Sequence, residues 1–338
     1  MSRCISLAAA LHKHGANCVF MVNGAYIPQR NFARSHRVVW KTSDADPGGD
    51  DDLKQVFETA SAEGSGAVVT DSYLIGNRYI ARLRAAGFYV VAIDDLARFP
   101  FPCQLVVNFG MHARQLSYQS SSGDTSFLLG PQYALLRPEF WHVDSRTIDD
   151  IVQNVLITIG GSDPHNLMPR MLASLDELSD KFTITAVIGP FFENRREIEL
   201  SRDRCGRRVR LVDDPCLVRD HMLQADLAVS AGGETLYELA ATGTPCVAFQ
   251  VADNQSDNIQ GMAAQGVLWS AGAVGDADLL DHVKTTTQRL IQSARTRLEM
   301  SKAGQLLIDG HGASRVVEMI LRDFDSTLGA KETRTVPK

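Results

Sequence analysis

The sequence lacks the short motifs that identify many nucleotide-using and hydrolytic enzymes. Its 338 residues contain no G-x-x-x-x-G-K-[ST] phosphate loop, no G-x-G-x-x-G fingerprint, no H-E-x-x-H zinc motif and no G-x-S-x-G nucleophile elbow. The nine histidines also lack the spacing of metal ligands. These absences argue against P-loop, dinucleotide-binding, zinc-protease and α/β-hydrolase chemistry, and we predict no metal site and no cofactor.

Excess positive charge and long apolar runs are missing as well. The net charge is −6 and the pI is about 5.8, which gives no electrostatic footprint for nucleic acid. No run of 18 apolar residues occurs, so no membrane span is predicted. Residues 1–14 have helical spacing rather than the apolar core of a signal peptide. The six cysteines lack zinc or disulfide spacing, so we expect reduced thiols and a cytoplasmic protein.

The sequence does contain short apolar runs that alternate with helical stretches. In the first half, such runs occupy residues 67–70, 89–93 and 105–108, and the pattern begins again at residue 155 after a polar segment. Continuous apolar runs are typical of parallel strands covered by helices on both faces. We therefore predict an α/β protein with two doubly wound, Rossmann-like domains facing across a cleft. The expected divisions are residues 1–146, residues 147–325 and a disordered tail at 326–338.

The most informative stretch is Ser230-Ala-Gly-Gly-Glu-Thr-Leu-Tyr-Glu238, which follows an apolar run. Gly232 and Gly233 would let the backbone approach a ligand closely, and a helix beginning near Thr235 would present N–H groups to a phosphate. Glu238 lies one turn along the same helix, where its carboxylate would reach a ribose diol. The alternative interpretation is a tight turn that binds nothing.

Polar residues follow other predicted strands too. Gly160 and Gly161 would admit a diphosphate or merely form a turn. Asp71 and Tyr73 place an acid and a phenol at a strand end, although Asp71 would equally cap a turn while Tyr73 packs. The remaining candidates are Asp94 and Asp95, of which one is expected to be structural because neighbours on a strand face opposite ways; Asn108; Arg137, for an anionic group or an interdomain salt bridge; and Asn254, for a helix cap or a sugar.

Taken in order, these segments resemble the UDP-sugar hydrolases of pseudaminic acid biosynthesis. Those enzymes act on UDP-2,4-diacetamido-2,4,6-trideoxy-β-L-altropyranose and are related to spore-coat polysaccharide proteins and peptidoglycan N-acetylglucosaminyltransferases. The resemblance extends over roughly residues 1–270. It rests on Asp71-Ser-Tyr73, Ile93-Asp-Asp95, Val107-Asn108, Ala134-Leu-Leu-Arg-Pro-Glu-Phe140, Ile159-Gly-Gly-Ser-Asp-Pro164, Ser230–Glu238 and Asn254-Gln255.

The resemblance implies the two-domain B-type glycosyltransferase fold, with UDP held mainly by the second domain. It implies a metal-independent reaction in which water displaces UDP at the anomeric carbon with inversion. Such a reaction needs a base beside the water and hydrogen-bond donors for the leaving diphosphate. The resulting candidates are Asp71, Tyr73 and Asn254 as catalytic residues, Ser230, Gly232, Gly233 and Thr235 at the diphosphate, Glu238 at the ribose, and Gly160, Gly161, Asn108 and Arg137 as further substrate-binding residues.

The resemblance departs at the start of the chain. The family opens with a strand and the segment G-x-G-H-x-x-R-C-L-x-L-A, whose His is its general base, whereas Met1-Ser-Arg-Cys-Ile-Ser-Leu-Ala8 matches only the later part. The first strand of domain 1 is therefore expected to be absent, which would leave two strands with unpaired edges. Either the true start lies upstream of Met1, which we favour, or the chain is a relative without the base.

We expect an enzyme that hydrolyses a UDP-linked diacetamido-trideoxy sugar, with the UDP-sugar and water as its partners, in the service of surface or flagellar glycosylation. We also expect a monomer. The alternatives are a glycosyltransferase of the same fold and a catalytically inactive nucleotide-sugar-binding relative. A transferase acting on lipid would need an apolar or basic membrane-facing patch, and the first half shows no such concentration.

Overall fold

The computed structural model describes residues 1–23, 39–213 and 218–332, with side chains to residue 324. The strands are β1 (Val19–Asn23), β2 (Val39–Ser43), β3 (Ala67–Thr70), β4 (Tyr89–Ile93), β5 (Leu105–Asn108), β6 (Ser126–Leu129), β7 (Asn154–Thr158), β8 (Thr183–Val187), β9 (Val209–Val212), β10 (Leu227–Ala231), β11 (Cys246–Gln250) and β12 (Leu268–Ala273). The helices are α1 (Ser2–Lys13), α2 (Asp50–Ala62), α3 (Asn77–Ala85), α4 (Leu167–Asp176), α5 (Arg195–Arg204), α6 (Val218–Gln224), α7 (Thr235–Ala241), α8 (Ser256–Ala264), α9 (Leu279–Ile291), α10 (Ala294–Leu307) and α11 (Gly312–Glu332).

The chain divides into two compact units. Unit 1 comprises Met1–Pro138 with His311–Lys338, and unit 2 comprises Glu139–Gly310. The sequence pattern instead predicts a division at 146/147, with the last helix in the second domain. In the structure α11 packs against α1, and Arg315 donates a hydrogen bond of 2.9 Å to the carbonyl of Gln132. Periodicity predicts a helix here but does not reveal which sheet it covers.

The C-terminal segment differs from the expected disordered tail. Helix α11 continues to Glu332, so residues 326–332 are helical, while 333–338 lie outside the described residues. The apolar positions of the helix's first turns, Val316, Val317 and Ile320, are buried and tie it to unit 1. No helix in the described part of the chain is long and apolar enough to cross a membrane.

The strands of unit 1 are parallel and, among the described residues, form two separate groups. Strands β1 and β2 form one parallel pair, and β3, β4, β5 and β6 form a separate four-stranded parallel sheet in that order. Its core includes Leu53, Ile80, Leu83, Val90 and Val106.

The sheet of unit 2 is continuous, with the order β12-β11-β10-β7-β8-β9 and parallel pairing throughout. From β7 the chain adds β8 and β9 on one side, then crosses over to add β10, β11 and β12 on the other. The topological switch point therefore lies between β7 and β10, and at such a point the loops beyond the carboxyl ends diverge and leave a crevice. Both predicted glycine loops follow these two strands.

Candidate functional site

The register of the unit 2 sheet places the two glycine loops at the same height along the strand direction. Ser230 on β10 pairs with Thr158 on β7. Gly232 and Gly160 each lie two residues beyond that pair, and neighbouring strands are about 4.8 Å apart. The candidate phosphate-binding turns are thus side by side at the carboxyl edge of the switch point.

The loop after β7 is open at its tip and tightly packed at its base. Gly160 has a φ of +100°, a conformation that favours glycine, and a Cβ placed there would meet nothing within 4 Å. Gly161 is exposed as well. Behind them, a Cβ on Gly189 would collide with the carbonyl oxygens of Gly160 and Gly161. The outward face of the Gly160–Gly161 backbone is therefore accessible to a ligand, while its inner face is held by the end of β8.

The two glycines after β10 have different roles. A Cβ on Gly232 would come within 2.5 Å of Cδ1 of Ile259 and 2.9 Å of Cβ of Gln255, so glycine is needed there for α8 to pack closely. A Cβ on Gly233 would meet nothing within 4 Å, and its φ is ordinary. The open position of this turn is Gly233, whereas Gly232 is required by packing.

The other residues of the central stretch differ in accessibility. The side chain of Ser230 is fully buried and its hydroxyl donates 2.9 Å to the carbonyl of Ala231, so it lies beneath the edge. Thr235 opens α7 and is half-buried, as is Glu238 three residues later. Asn254 is exposed in a 3-10 turn after β11, between that strand and α8. Thr235, Glu238 and Asn254 therefore retain some exposure, whereas Ser230 does not.

Asp163 has a structural role that its position in the Gly-Gly-Ser-Asp-Pro segment does not reveal. Its carboxylate is buried and accepts hydrogen bonds from the backbone N–H of Leu167 at 2.7 Å and of Met168 at 2.8 Å. It also accepts from the side chain of Asn194 at 3.0 Å. Asp163 thus caps α4 and fixes the loop that carries Gly160 and Gly161.

Phe191 is a feature of this edge that the sequence analysis missed. It is 64% exposed, and its backbone N–H donates 2.9 Å to the carbonyl of Gly161. A large exposed aromatic ring beside an open glycine loop offers a stacking surface. The signal in the sequence was the Gly-Pro-Phe-Phe run after β8.

In unit 1, Arg3 joins two of the strand-end carboxylates. Its guanidinium donates to Asp71 at 2.5 and 3.3 Å and to both oxygens of Asp95 at 2.7 and 2.8 Å. The Tyr73 hydroxyl donates 2.7 Å to Asp95. The Cys4 thiol donates to Asp71 at 3.4 Å. These residues form one charged cluster at the carboxyl ends of β3 and β4.

The cluster sets the ionisation of its members. Burial alone would raise the pKa of Asp71, but the charge and hydrogen bonds of Arg3 outweigh it and lower that pKa below its ordinary value. Burial, with the hydrogen bond to Asp95, raises the pKa of Tyr73 to about 12. At neutral pH Asp71 is therefore an ion-paired carboxylate and Tyr73 a protonated phenol.

The remaining unit 1 candidates are mostly committed to the fold. Asn108 is buried, donates 2.9 Å to the Tyr118 hydroxyl and accepts 2.7 Å from the N–H of Gly110. Asp94 accepts from the N–H groups of Leu96 and Ala97 at 2.9 and 2.7 Å, so of the two adjacent acids Asp94 holds the turn. Arg137 is half-buried before Pro138. No group of His, Cys, Asp and Glu among the described residues is arranged to hold a metal ion.

The comparisons with known proteins agree with this architecture. No protein-family model matches the chain. It is 30% identical to the spore coat polysaccharide biosynthesis protein SpsG of Bacillus subtilis over 212 residues, 60% of each chain. It is 26% identical to the pseudaminic acid cytidylyltransferase and UDP-2,4-diacetamido-2,4,6-trideoxy-beta-L-altropyranose hydrolase of Helicobacter pylori over 60% of this chain and 38% of that protein. The match thus spans less than two thirds of either relative.

Solved structures superpose on more than nine tenths of the chain. MurG of Acinetobacter baumannii superposes with a TM-score of 0.68 at 14% identity, covering 95% of both chains. The spinosyn rhamnosyltransferase SpnG superposes with a TM-score of 0.63 at 14% identity, covering 93% of this chain and 95% of that one. The chain therefore has the two-domain B-type glycosyltransferase fold and distant homology to SpsG and the Helicobacter protein.

Proposed function

We propose that this protein is a nucleotide-sugar enzyme that binds UDP through unit 2 and hydrolyses a UDP-linked 2,4-diacetamido-2,4,6-trideoxy sugar. The observation that carries the proposal is the pair of glycine loops at the switch point between β7 and β10. They stand at one level, and Gly160 and Gly233 both face open space. Backbone in this arrangement can approach a diphosphate and donate N–H groups to it.

In the proposed complex the diphosphate lies across Gly160–Gly161 and Gly233. The hydroxyl of Thr235 and the carboxylate of Glu238 are half-buried at the start of α7, where they would contact the phosphate and the ribose. Asn254 follows the neighbouring strand β11 with its amide exposed, and we assign it to the sugar. Ser230 would support the turn from below rather than touch the ligand.

The substrate class rests on the relatives. The Helicobacter protein carries the hydrolase activity in its name, and SpsG is named for polysaccharide biosynthesis. The reaction would break the anomeric C–O bond by attack of water, and the proton of that water would pass to a base while UDP leaves as an anion. N–H donors at the two glycine loops would stabilise the charge that develops on the diphosphate.

The charged cluster of unit 1 suits orientation better than proton abstraction. Asp71 is a weak base because Arg3 lowers its pKa, and Tyr73 is protonated at neutral pH because its pKa is raised to about 12. We therefore assign Asp71 as the residue that positions Arg3, and we assign Tyr73, whose one hydroxyl proton is donated to Asp95, a polar contact through its oxygen as an acceptor.

That ionisation also supports a second candidate, a nucleotide-sugar-binding protein without turnover. Among the candidate catalytic residues, Asp71 has the side chain that best suits a general base, but it is ion-paired with Arg3 at 2.5 Å. A protein with an intact diphosphate site and no effective base would bind UDP-sugar and release it unchanged. Measurement of UDP release from the diacetamido-trideoxy donor separates the two candidates.

Binding is tested by calorimetry with UDP on the wild type and on Gly233→Ala. The added methyl meets no atom of the protein within 4 Å and the backbone φ is ordinary, so the fold should be unaffected. We expect UDP affinity to fall at least about tenfold, equivalent to about 1.4 kcal/mol, because the methyl occupies the phosphate's place.

The matched control is Gly275→Ala, which also lies in unit 2 with an ordinary φ and open space around the added Cβ. It should bind UDP as the wild type does. Wild-type affinity in Gly233→Ala would remove the diphosphate assignment, and no binding of UDP by the wild type would remove the proposal altogether.

A further inference from the structure

The ring of Phe191 differs from the other phenylalanine rings of this protein in its exposure. It is 64% exposed, whereas every other phenylalanine whose side chain the structure describes is buried or half-buried. The next residue, Phe192, packs against the core of unit 2. The turn after β8 thus places one ring in the core and the other in solvent. An aromatic ring held in solvent leaves a large apolar surface available to a ligand.

The turn that carries Phe191 is fixed to the loop after β7. Its backbone N–H donates 2.9 Å to the carbonyl of Gly161, and a Cβ on Gly161 would lie 3.7 Å from the ring. Three residues after Phe191, the side chain of Asn194 donates 3.0 Å to Asp163 and 2.7 Å to Asn166, which both belong to the β7 loop. The ring therefore has a defined position beside the proposed diphosphate loop, so a ligand that contacts it need not order the turn.

The strand order determines on which side of the diphosphate the ring lies. Val187 at the end of β8 pairs with Thr158 at the end of β7, so the turn after β8 starts at the same height as the two glycine loops. Strand β8 neighbours β7 on the side away from β10. Glu238, to which we assign the ribose, belongs to the helix that follows β10. Phe191 and the assigned ribose position therefore lie on opposite sides of the β7 loop.

This arrangement selects the sugar rather than the base as the group that meets the ring. The base is bonded to the ribose, and a ribose beside Glu238 keeps the base on the β10 side. The glycosyl group is bonded to the other end of the diphosphate, which leads it past the β7 loop toward β8. One face of a pyranose presents C–H bonds, and deoxy and acetamido methyl groups enlarge this apolar surface. An aromatic ring can bury such a surface against its own face.

We propose that Phe191 is a sugar-binding residue whose ring stacks on the apolar face of the glycosyl group. This assignment rests on the proposed function, because it takes the position of the diphosphate from it. Asn254 follows β11, three strand spacings or about 14 Å from β8, so the pyranose would stand between the two side chains. Phe191 would then contribute to the affinity for the sugar donor and not to the affinity for UDP alone.

The test measures the affinities of the wild type, Phe191→Ala and Phe191→Trp for UDP and for the UDP-linked diacetamido-trideoxy donor. Both ligands compete with a fluorescent UDP, and the signal is read before hydrolysis proceeds. We expect Phe191→Ala to weaken donor binding at least about tenfold and to leave UDP binding within about twofold of the wild type. Phe191→Trp keeps a flat aromatic surface and should retain donor binding within about threefold.

The matched control is Leu306→Ala, since Leu306 is also a large exposed apolar residue of unit 2 but lies on α10. It should bind both ligands as the wild type does. Equal weakening of UDP and donor in Phe191→Ala would place the ring at the nucleotide and overturn the sugar assignment. Unchanged donor affinity in that variant would overturn the assignment and leave the diphosphate site intact. A wild type that binds no UDP would overturn the proposed function, and this assignment with it.

Discussion

At the scale of single residues, Asp71 shows how packing decides the role of an acid. Its side chain is 7% exposed and faces Arg3, Cys4 and the backbone nitrogen of Met1. A carboxylate in this setting is held ionised and is a poor proton acceptor. In the structure Asp71 therefore acts on its surroundings through the position of Arg3, which also contacts Asp95.

This arrangement predicts the effect of Asp71→Asn on stability. Because the folded pKa of Asp71 lies below its unfolded value of about 3.9, its ionisation stabilises the fold above that pH, and the contribution is lost as pH falls through the folded pKa. Removal of one partner of a buried pair costs about 3–5 kcal/mol, and since Arg3 keeps Asp95 we expect about 2–3 kcal/mol at pH 7.

Urea unfolding of wild type and Asp71→Asn between pH 7 and pH 3 measures this effect, and the difference should shrink below about pH 4. Asp124→Asn is the control, because Asp124 pairs with Arg84 at 2.6 Å but is 58% exposed. That variant should lose no more than about 1 kcal/mol. A pH-independent difference for Asp71→Asn would show that the charge of Asp71 does not contribute to stability.

At the scale of elements, one buried arginine joins helices to the segment that enters the unit 2 sheet. Arg297 on α10 is fully buried. It donates to the carbonyls of Leu290 and Ile291 at the end of α9 at 2.7 and 2.8 Å, and to those of Asp149 and Asp150 at 2.6 and 2.9 Å. The segment that precedes β7 is thereby fixed to α9 and α10. Gly160 and Gly161 follow the same strand at its other end.

Arg297→Met should therefore destabilise the protein by about 3–5 kcal/mol, because buried carbonyls would lose a charged donor. Arg295→Met on the same helix is the matched control, since Arg295 is 89% exposed and forms a surface ion pair with Glu299. It should cost less than about 1 kcal/mol. Equal urea midpoints for the two variants would contradict this role of Arg297.

The strands differ in how far the sequence predicts them. Strands β7 and β10 are continuous apolar runs that end at glycine turns, so composition and periodicity predict their existence and their place in a parallel sheet. Strand β12 is not predicted because Leu268–Ala273 contains a serine and a glycine within a mixed burial pattern. Strand β6 is also missed, although its four residues make it as long as the predicted strands β3 and β5. The strand order, which creates the switch point, depends on long-range pairing that no local pattern encodes.

The site was predictable only in part, for a related reason. The sequence predicts that the glycine pairs at two strand ends allow close backbone approach, and the structure leaves open space at Gly160 and Gly233. Glycine is required at position 232 because Ile259 of α8 packs against it, and Asp71 is ion-paired because Arg3 of α1 lies beside it. Both partners are distant in sequence, so a strand-end position alone could not distinguish a ligand contact from a packing contact.

At the scale of the whole molecule, the two units have separate cores and separate sheets. A ligand that binds native unit 2 stabilises that unit by RT ln(1 + [L]/Kd), which is about 2.7 kcal/mol at one hundred times Kd. If UDP binds at the β7–β10 switch point, the gain in stability should be seen first in strands β7 and β10, which end at that point. This separation makes the location of binding measurable without a bound structure.

We therefore predict that UDP at about one hundred times its Kd slows hydrogen exchange of the amides in β7 and β10 by about a hundredfold, because they exchange through opening of unit 2. The amides of β4 and β5, which are equally buried but belong to unit 1, serve as the internal reference. UMP at the same concentration should protect less, since it lacks the second phosphate that Gly160 and Gly233 are proposed to receive. Equal protection by UMP and UDP would show that the glycine loops contribute little to the binding free energy. An absence of protection in β7 and β10 at saturating UDP would place the nucleotide elsewhere.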